Sequence, residues 1–258
     1  MNRNKLRRQS RSAAVFVPAA ALLVIALTIF GMSVFLKIMH IEVNGARLYS
    51  EEDVIDASEI ASGSNLLFIN KSSVSDRIFD AMPYISEIKI TRVMPDLIRI
   101  EVKETSAIAS IRHENSTLLI DSAGRVLECV DDGSKEAVPH GLIEIVGFTP
   151  VGPEPGKVMT AELGDETRLQ YLKDVLASVE GAGIRRDVAY IDISSIANIT
   201  LGYTERFRVV LGSAAEVSQK LRRLPGSIDT INEKHTSEET GVIDMSDISG
   251  GWRFTPDR

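Results

Sequence analysis

The side chains that could carry chemistry in this 258-residue chain are few and scattered. His40, His113, His140 and His235 stand far apart, with no His-x-x-x-His spacing and no flanking glutamate, so no metal site is expected. The single cysteine, Cys129, cannot form an internal disulfide and has no basic neighbour to activate it. It is expected to be partly buried rather than reactive. There is no Gly-x-Ser-x-Gly elbow, no Ser-x-x-Lys pair and no glycine-rich phosphate loop. The acid pairs Asp131-Asp132 and Glu238-Glu239 fall in polar stretches and read as solvated turns rather than as a glycosidase pair. Sequons at Asn70, Asn115 and Asn198 match a pattern common by chance. These residues give no catalytic constellation and call for no cofactor.

Binding chemistry is better represented. The stretch Ser246-Asp-Ile248-Ser-Gly-Gly251-Trp252-Arg-Phe254 holds the only tryptophan, two glycines that allow close backbone approach, and few charges. Trp and Arg are favoured interface anchors, and a strand near the end of a chain often lies at a sheet edge, where another strand can pair with it. Ser246, Ile248, Gly251, Trp252 and Phe254 are therefore the candidate partner-binding residues. The alternative is that Trp252 and Phe254 close a hydrophobic core.

The element that would position such a surface is the run Ala13 to Leu36, 24 residues without a charge. As a helix it extends roughly 36 Å, enough for a hydrocarbon core about 30 Å thick. Pro18 and Gly31 are tolerated in such helices. The first twelve residues carry Arg3, Lys5, Arg7, Arg8 and Arg11 and no acid, which puts the amino terminus in the cytoplasm and the bulk of the chain outside. A cleaved signal has a shorter apolar stretch, of about 7–15 residues, so an uncleaved anchor is expected. His40, just beyond it, reads as an interfacial residue. The net charge is −7, and the tail contributes +5, leaving −12 on the remainder. That balance disfavours nucleic acid and broad contact with anionic lipid.

Beyond the anchor the patterns run strand, helix, helix, strand, strand. Ile41 and Val43 alternate with polar residues up to Gly45; Ser50-Glu-Glu-Asp53 is a capping-box signature; and Ser73-Val-Ser-Asp76 offers a second cap, with Val74, Ile78, Phe79 and Met82 on one face before Pro83. Residues 85–104 form two alternating runs joined by Met94-Pro95-Asp96, an antiparallel hairpin in which Arg92 reads as a solvated cross-strand charge and Pro95 as a turn former. Further on, strands are expected at 107–111, 117–121, 125–127, 142–147, 190–193, 199–201 and 207–211. An amphipathic helix is expected at 168–181, and a second carries Val217, Leu221 and Leu224 inward with Lys220, Arg222 and Arg223 outward, ending at Pro225. Val242–Met245 and Gly251–Phe254 read as the last strands.

The Ile41-x-Val43-x-Gly45 strand directly after a span, Gly63-x-Asn65-Leu66, and Pro83-Tyr-Ile85 leading to Ile90-x-Arg92-x-x-Pro95-x-x-Ile98-x-Ile-x-Val-x-Glu104 together resemble the FtsQ/DivIB family of bacterial division proteins. The Leu-Gly before the helix with Lys220-Leu221, and Ile243-Asp-Met245 before Phe254-x-Pro256, are similar to that family's β-domain. Departures are Ser246, where the family more often has a basic residue, and a short cytoplasmic tail. The resemblance implies an α+β protein: tail 1–12, transmembrane helix 13–36, a POTRA domain of β-α-α-β-β order at 38–105, a mixed β-domain with flanking helices at 106–255, and an end at 256–258. It also implies a non-catalytic bitopic scaffold at the septum, linking ring assembly to peptidoglycan synthesis. Its partners would be membrane-anchored coiled-coil proteins of FtsB/DivIC and FtsL type and the lipid bilayer, with no nucleic acid, small-molecule substrate, metal or cofactor. A signal-anchored cell-wall hydrolase and a POTRA-type secretion or assembly chaperone are the alternatives.

Overall fold

The computed structural model describes residues 4–234, 239–247 and 251–257; side chains at 4–15, 29, 32–34 and 135–137 fall outside the description. It divides into two compact units, Met1–Ile78 with Glu87–Glu104, and Phe79–Ser86 with Thr105–Arg258.

The first unit opens with helix α1 (Asn4–Phe35), which includes the expected apolar run and extends back through the basic residues. Its described side chains, among them Phe16, Leu22, Leu23, Leu27 and Phe30, are exposed. Among the described residues no helix is long and apolar enough to cross a membrane; of the run 13–36, the side chains at 13–15, 29 and 32–34 fall outside the description.

Strand β1 (His40–Asn44), helices α2 (Glu51–Ser58) and α3 (Lys71–Ala81), and strands β2 (Ile85–Val93) and β3 (Leu97–Glu104) follow in the expected order. The sheet order is β1-β3-β2, with β1 parallel to β3 in the register His40 to Leu97 through Asn44 to Glu101. Alternation buries Val43 on β1, Ile90 on β2 and Ile98, Ile100 and Val102 on β3, together with Val54, Leu66, Val74 and Ile78 from the helical segments. The outer face carries Lys89–Glu101 and Lys103–Glu87 pairs. The capping box at Ser50 is formed in full.

Two local expectations change. Helix α3 starts before Ser73, because the Asn70 carboxamide oxygen accepts the Ser72 and Ser73 N–H groups and caps the first turn. Arg92 is not a solvated cross-strand charge: it is half-buried, and its Nη2 donates to the Ile69 carbonyl at 2.6 Å, tying the hairpin to the loop before α3.

The second unit is a nine-stranded mixed sheet, in the order β12-β11-β10-β9-β8-β7-β4-β5-β6. Its strands are β4 (Ala109–His113), β5 (Ser116–Ile120), β6 (Val126–Asp131), β7 (Ile143–Val146), β8 (Val188–Asp192), β9 (Ile199–Tyr203), β10 (Phe207–Gly212), β11 (Gly241–Asp244) and β12 (Arg253–Pro256). Parallel neighbours require crossovers, and helix α4 (Glu166–Gly181) connects β7 to β8 while helix α5 (Val217–Lys234) connects β10 to β11. Leu172, Val175, Leu176 and Val179 of α4 and Leu221, Leu224 and Ile231 of α5 pack with Ile143, Ile191, Leu201, Val209, Leu211 and Ile243 of the sheet in one core.

Helix α5 does not stop at Pro225. Pro225 lies inside it, and the apolar stripe Val217, Leu221, Leu224, Ile228, Ile231 continues past the proline. An interior proline costs about 3 kcal/mol, whereas each fully buried aliphatic side chain contributes about 1.5–3 kcal/mol, so the two added isoleucines cover it.

Candidate partner-binding edge

The described candidate residues, Ser246, Gly251, Trp252 and Phe254, lie at the β12 end of the nine-stranded sheet. Strand β12 pairs antiparallel with β11, Ile243 opposite Phe254 and Asp244 opposite Arg253, and no further described strand lies beyond it. The Asp257 N–H donates to the Thr240 carbonyl. Antiparallel pairs alternate between bonded and non-bonded positions, so Thr255 and Arg253 also bond inward, and β12 is the last described strand on this side of the sheet. Pro256, with no N–H, limits how far a second strand can extend that way.

Gly241 is required here by contact. A Cβ on it would lie 2.4 Å from the Thr255 carbonyl oxygen and 2.6 Å from the Phe254 ring, so only glycine lets β12 close against β11.

The side chains of the candidates serve different roles. Phe254 is half-buried and meets Phe207 edge to face, with ring centroids 5.9 Å apart. Trp252 is half-buried against the core and, with Lys220, Arg223, Met245 and Gly251, lines a small apolar cleft. Each of these aromatics contacts the core and keeps exposed surface. Gly251 is exposed, with φ +81°. Ser246 is exposed and donates its N–H at 2.9 Å and its hydroxyl at 2.7 Å to the Asp244 carboxylate, ending β11. Those two bonds, the hydroxyl first, and the Arg253 charge outweigh burial and hold the Asp244 carboxyl below its usual range. Ile248 lies outside the described residues.

Lys220, expected on the outer face of α5, lies on its buried face. It is 3% exposed rather than outward-facing, and its ammonium donates to the Leu211 carbonyl at 2.6 Å. Burial pushes its pKa down, against the nearby charges of Glu216, Asp244 and Asp247. The signal was present in the spacing, because position 220 lies three residues after Val217 and four before Leu224, on the buried stripe. Its bond joins α5 to the end of β10, the third strand counting from β12.

The other chemistry-bearing residues do not join this edge. Cys129 is exposed, contrary to expectation. Desolvation, Glu128 and Asp131 raise its thiol pKa, which keeps it protonated and a weak nucleophile. Among the described residues no three His, Cys, Asp or Glu side chains group as a metal site.

In the first unit the motif residues are structural connections. The Glu104 carboxylate accepts the N–H groups of Arg47 at 2.8 Å, Leu48 at 2.9 Å and Tyr49 at 3.3 Å. A Cβ on Gly45, which has φ +95°, would lie 2.0 Å from the Val102 carbonyl oxygen. The Gly63-x-Asn65-Leu66 loop bonds to the chain leaving α1, Ile38 N–H to Ser64 O at 2.8 Å and Leu66 N–H to Leu36 O at 2.7 Å. Gly45, Arg92 and Glu104 of the motif thus each make a backbone contact that depends on the residue type.

Residues 36–105 match the family described as POTRA domain, FtsQ-type. The chain is 25% identical over 213 residues to the cell division protein DivIB of Clostridium acetobutylicum, covering 82% of this chain and 80% of that one. It is 24% identical to DivIB of Clostridium tetani, covering 82% and 77%, and 24% identical to the cell division protein FtsQ of Streptomyces collinus, covering 83% and 80%. The first unit is thus built on a POTRA domain of the FtsQ type, in a chain related over most of its length to the DivIB and FtsQ cell division proteins.

Proposed function

We propose that this chain is a non-catalytic, membrane-anchored scaffold of cell division, held by the segment 13–36 with its amino terminus in the cytoplasm. It gathers small membrane-anchored coiled-coil proteins of FtsB/DivIC and FtsL type at the septum and links ring assembly to peptidoglycan synthesis. The observation that carries this reading is strand β12, the last described strand at one end of its sheet, with the half-buried Trp252 and Phe254 beside it. A partner strand pairing there gains backbone hydrogen bonds, and the cleft beside Trp252 takes an apolar side chain. Confinement of both partners to one membrane raises their effective concentration, so a short strand contact suffices for a stable complex.

The anchor is supported by the uncharged run itself and by the exposed apolar side chains of α1. Within it the Thr28 hydroxyl donates to the Val24 carbonyl at 2.8 Å, satisfying its hydrogen bond inside the helix as a nonpolar medium demands.

The test uses the full chain in native-like membranes with a coiled-coil partner. Replacing Trp252 and Ile248 by glutamate leaves the circular dichroism spectrum unchanged and abolishes capture of the partner. Undiminished capture by the folded variant rejects this edge as the site. Incubation of the full chain with peptidoglycan releases no soluble fragments; release would favour the hydrolase alternative.

A further inference from the structure

We infer that the pole of the first unit nearest α1 rests in the headgroup layer of the bilayer, with Met39, Phe68 and Met94 as its apolar contacts. The inference deepens the membrane-anchored reading above and rests on it. Apart from α1, the large apolar side chains left exposed among the described residues of this unit are Met39 at 63%, Leu48 at 62%, Phe68 at 81% and Met94 at 58%. Three of these four belong to loops joined by hydrogen bonds at the base of α1.

The chain leaving the helix passes between two loops. On one side Leu66 N–H donates to Leu36 O and Ile38 N–H to Ser64 O, and Phe68 follows in the same loop with its N–H on Asn65 O at 3.2 Å. On the other side the Met39 and His40 N–H groups both donate to Asp96 O, at 2.9 and 3.2 Å, next to Met94 in the hairpin turn. Phe35, 79% exposed as α1 ends, is four residues before Met39. The apolar surface of α1 therefore continues onto the pole.

The opposite pole has a different character. Strand β3 runs from Leu97, paired with His40, to Glu104, a distance of roughly 23 Å. There Glu104 holds the amides around Leu48, so Leu48 stands far from the helix and serves as an internal control. The near pole also carries exposed lysines, Lys37 and Lys71, flanking Met39 and Phe68 in sequence. Apolar tips among lysines suit the acyl boundary beneath lipid phosphates, with the ammonium groups reaching the phosphate level.

The occupant is the lipid surface, because the patch adjoins the helix that enters it. The consequence is that the first unit does not swing freely on a single-helix tether.

The experiment introduces one tryptophan at a time into the full chain, as Phe68→Trp, Leu48→Trp or Ile25→Trp, and reconstitutes each in phosphatidylcholine vesicles. Brominated lipids quench the added emission, with the bromines placed either just below the headgroups or deep in the acyl chains; the parent chain with Trp252 alone gives the baseline. The expected result is quenching of Phe68→Trp by the shallow lipid, of Ile25→Trp by the deep lipid, and none of Leu48→Trp beyond baseline. Quenching at position 25 without quenching at 68 overturns the inference and leaves the anchor standing. No quenching at either position overturns both. Protection of position 68 from aqueous iodide without lipid quenching identifies a protein neighbour, a second copy of this chain or another helix, and overturns it as well.

Discussion

Replacing Glu104 by glutamine tests how the first unit is held together at its far end. Its carboxylate receives three backbone N–H groups from the loop between β1 and α2, at 2.8, 2.9 and 3.3 Å. Burial alone would raise its pKa, but the amides of Arg47, Tyr49 and Leu48 and the Arg47 charge together bring it below the ordinary glutamate value of 4.5. Hydrogen bonds to a charged acceptor contribute ~1.5–3 kcal/mol each in favourable cases. The site is partly solvated, so the set is worth about 2 kcal/mol once screening is allowed for. For a unit of this size that lowers the midpoint of thermal unfolding by about 10 °C.

The pH dependence is a stricter test of the same site. The folded pKa lies below the unfolded one, so the unfolded chain binds the proton more readily as pH falls. The stabilisation is complete above the unfolded glutamate range and is lost as pH drops through the folded value. The gap in thermal midpoint between parent and Glu104→Gln is therefore widest near neutral pH and closes in acid. Thermal unfolding of the full chain across pH, with amide exchange of residues 47–49 as the local readout, measures both. An equal midpoint at neutral pH, or a gap that persists in acid, would refute the reasoning.

Two further substitutions test backbone constraints. Gly45→Ala places a Cβ 2.0 Å from the Val102 carbonyl at a φ reserved for glycine, and destabilises the first unit by about 2 kcal/mol or more, read as a lower denaturant midpoint at unchanged slope. Pro225→Ala restores the missing N–H in the interior of α5 and raises stability by about 1–3 kcal/mol, with the Leu221 carbonyl gaining its helical donor, as measured by urea unfolding.

The first unit was legible because its signals are local. Alternation at Ile98, Ile100 and Val102, the capping box at Ser50 and Asp53 and the turn at Pro95 each act over a few residues, and the structure realises them. Arg92 was misread because its partner, the Ile69 carbonyl, lies 23 residues away and depends on the packing of a loop. In the second unit most strands were visible as short apolar runs, but their order was not. The parallel β10–β11 and β7–β8 neighbours follow from helices that cross over, a matter of tertiary packing.

Pro225 misled because local propensity was allowed to outrank a stripe that continues to Ile231. Lys220 misled for the opposite reason: its charge was read as outward although its spacing placed it on the buried face. At the candidate edge, the composition of 246–254 drew attention to the segment that leads into β12. It could not say that β12 would be the last described strand of the sheet, because that depends on its pairing with β11.

The most direct test of the scaffold is amide hydrogen exchange across β12 in the full, membrane-embedded chain, with and without a coiled-coil partner bound. An added strand on β12 covers its backbone and slows exchange of the residues 253–255 by about tenfold or more, while the interior strand β9 changes far less. Formation of the complex with no change in β12 would contradict strand addition at this edge.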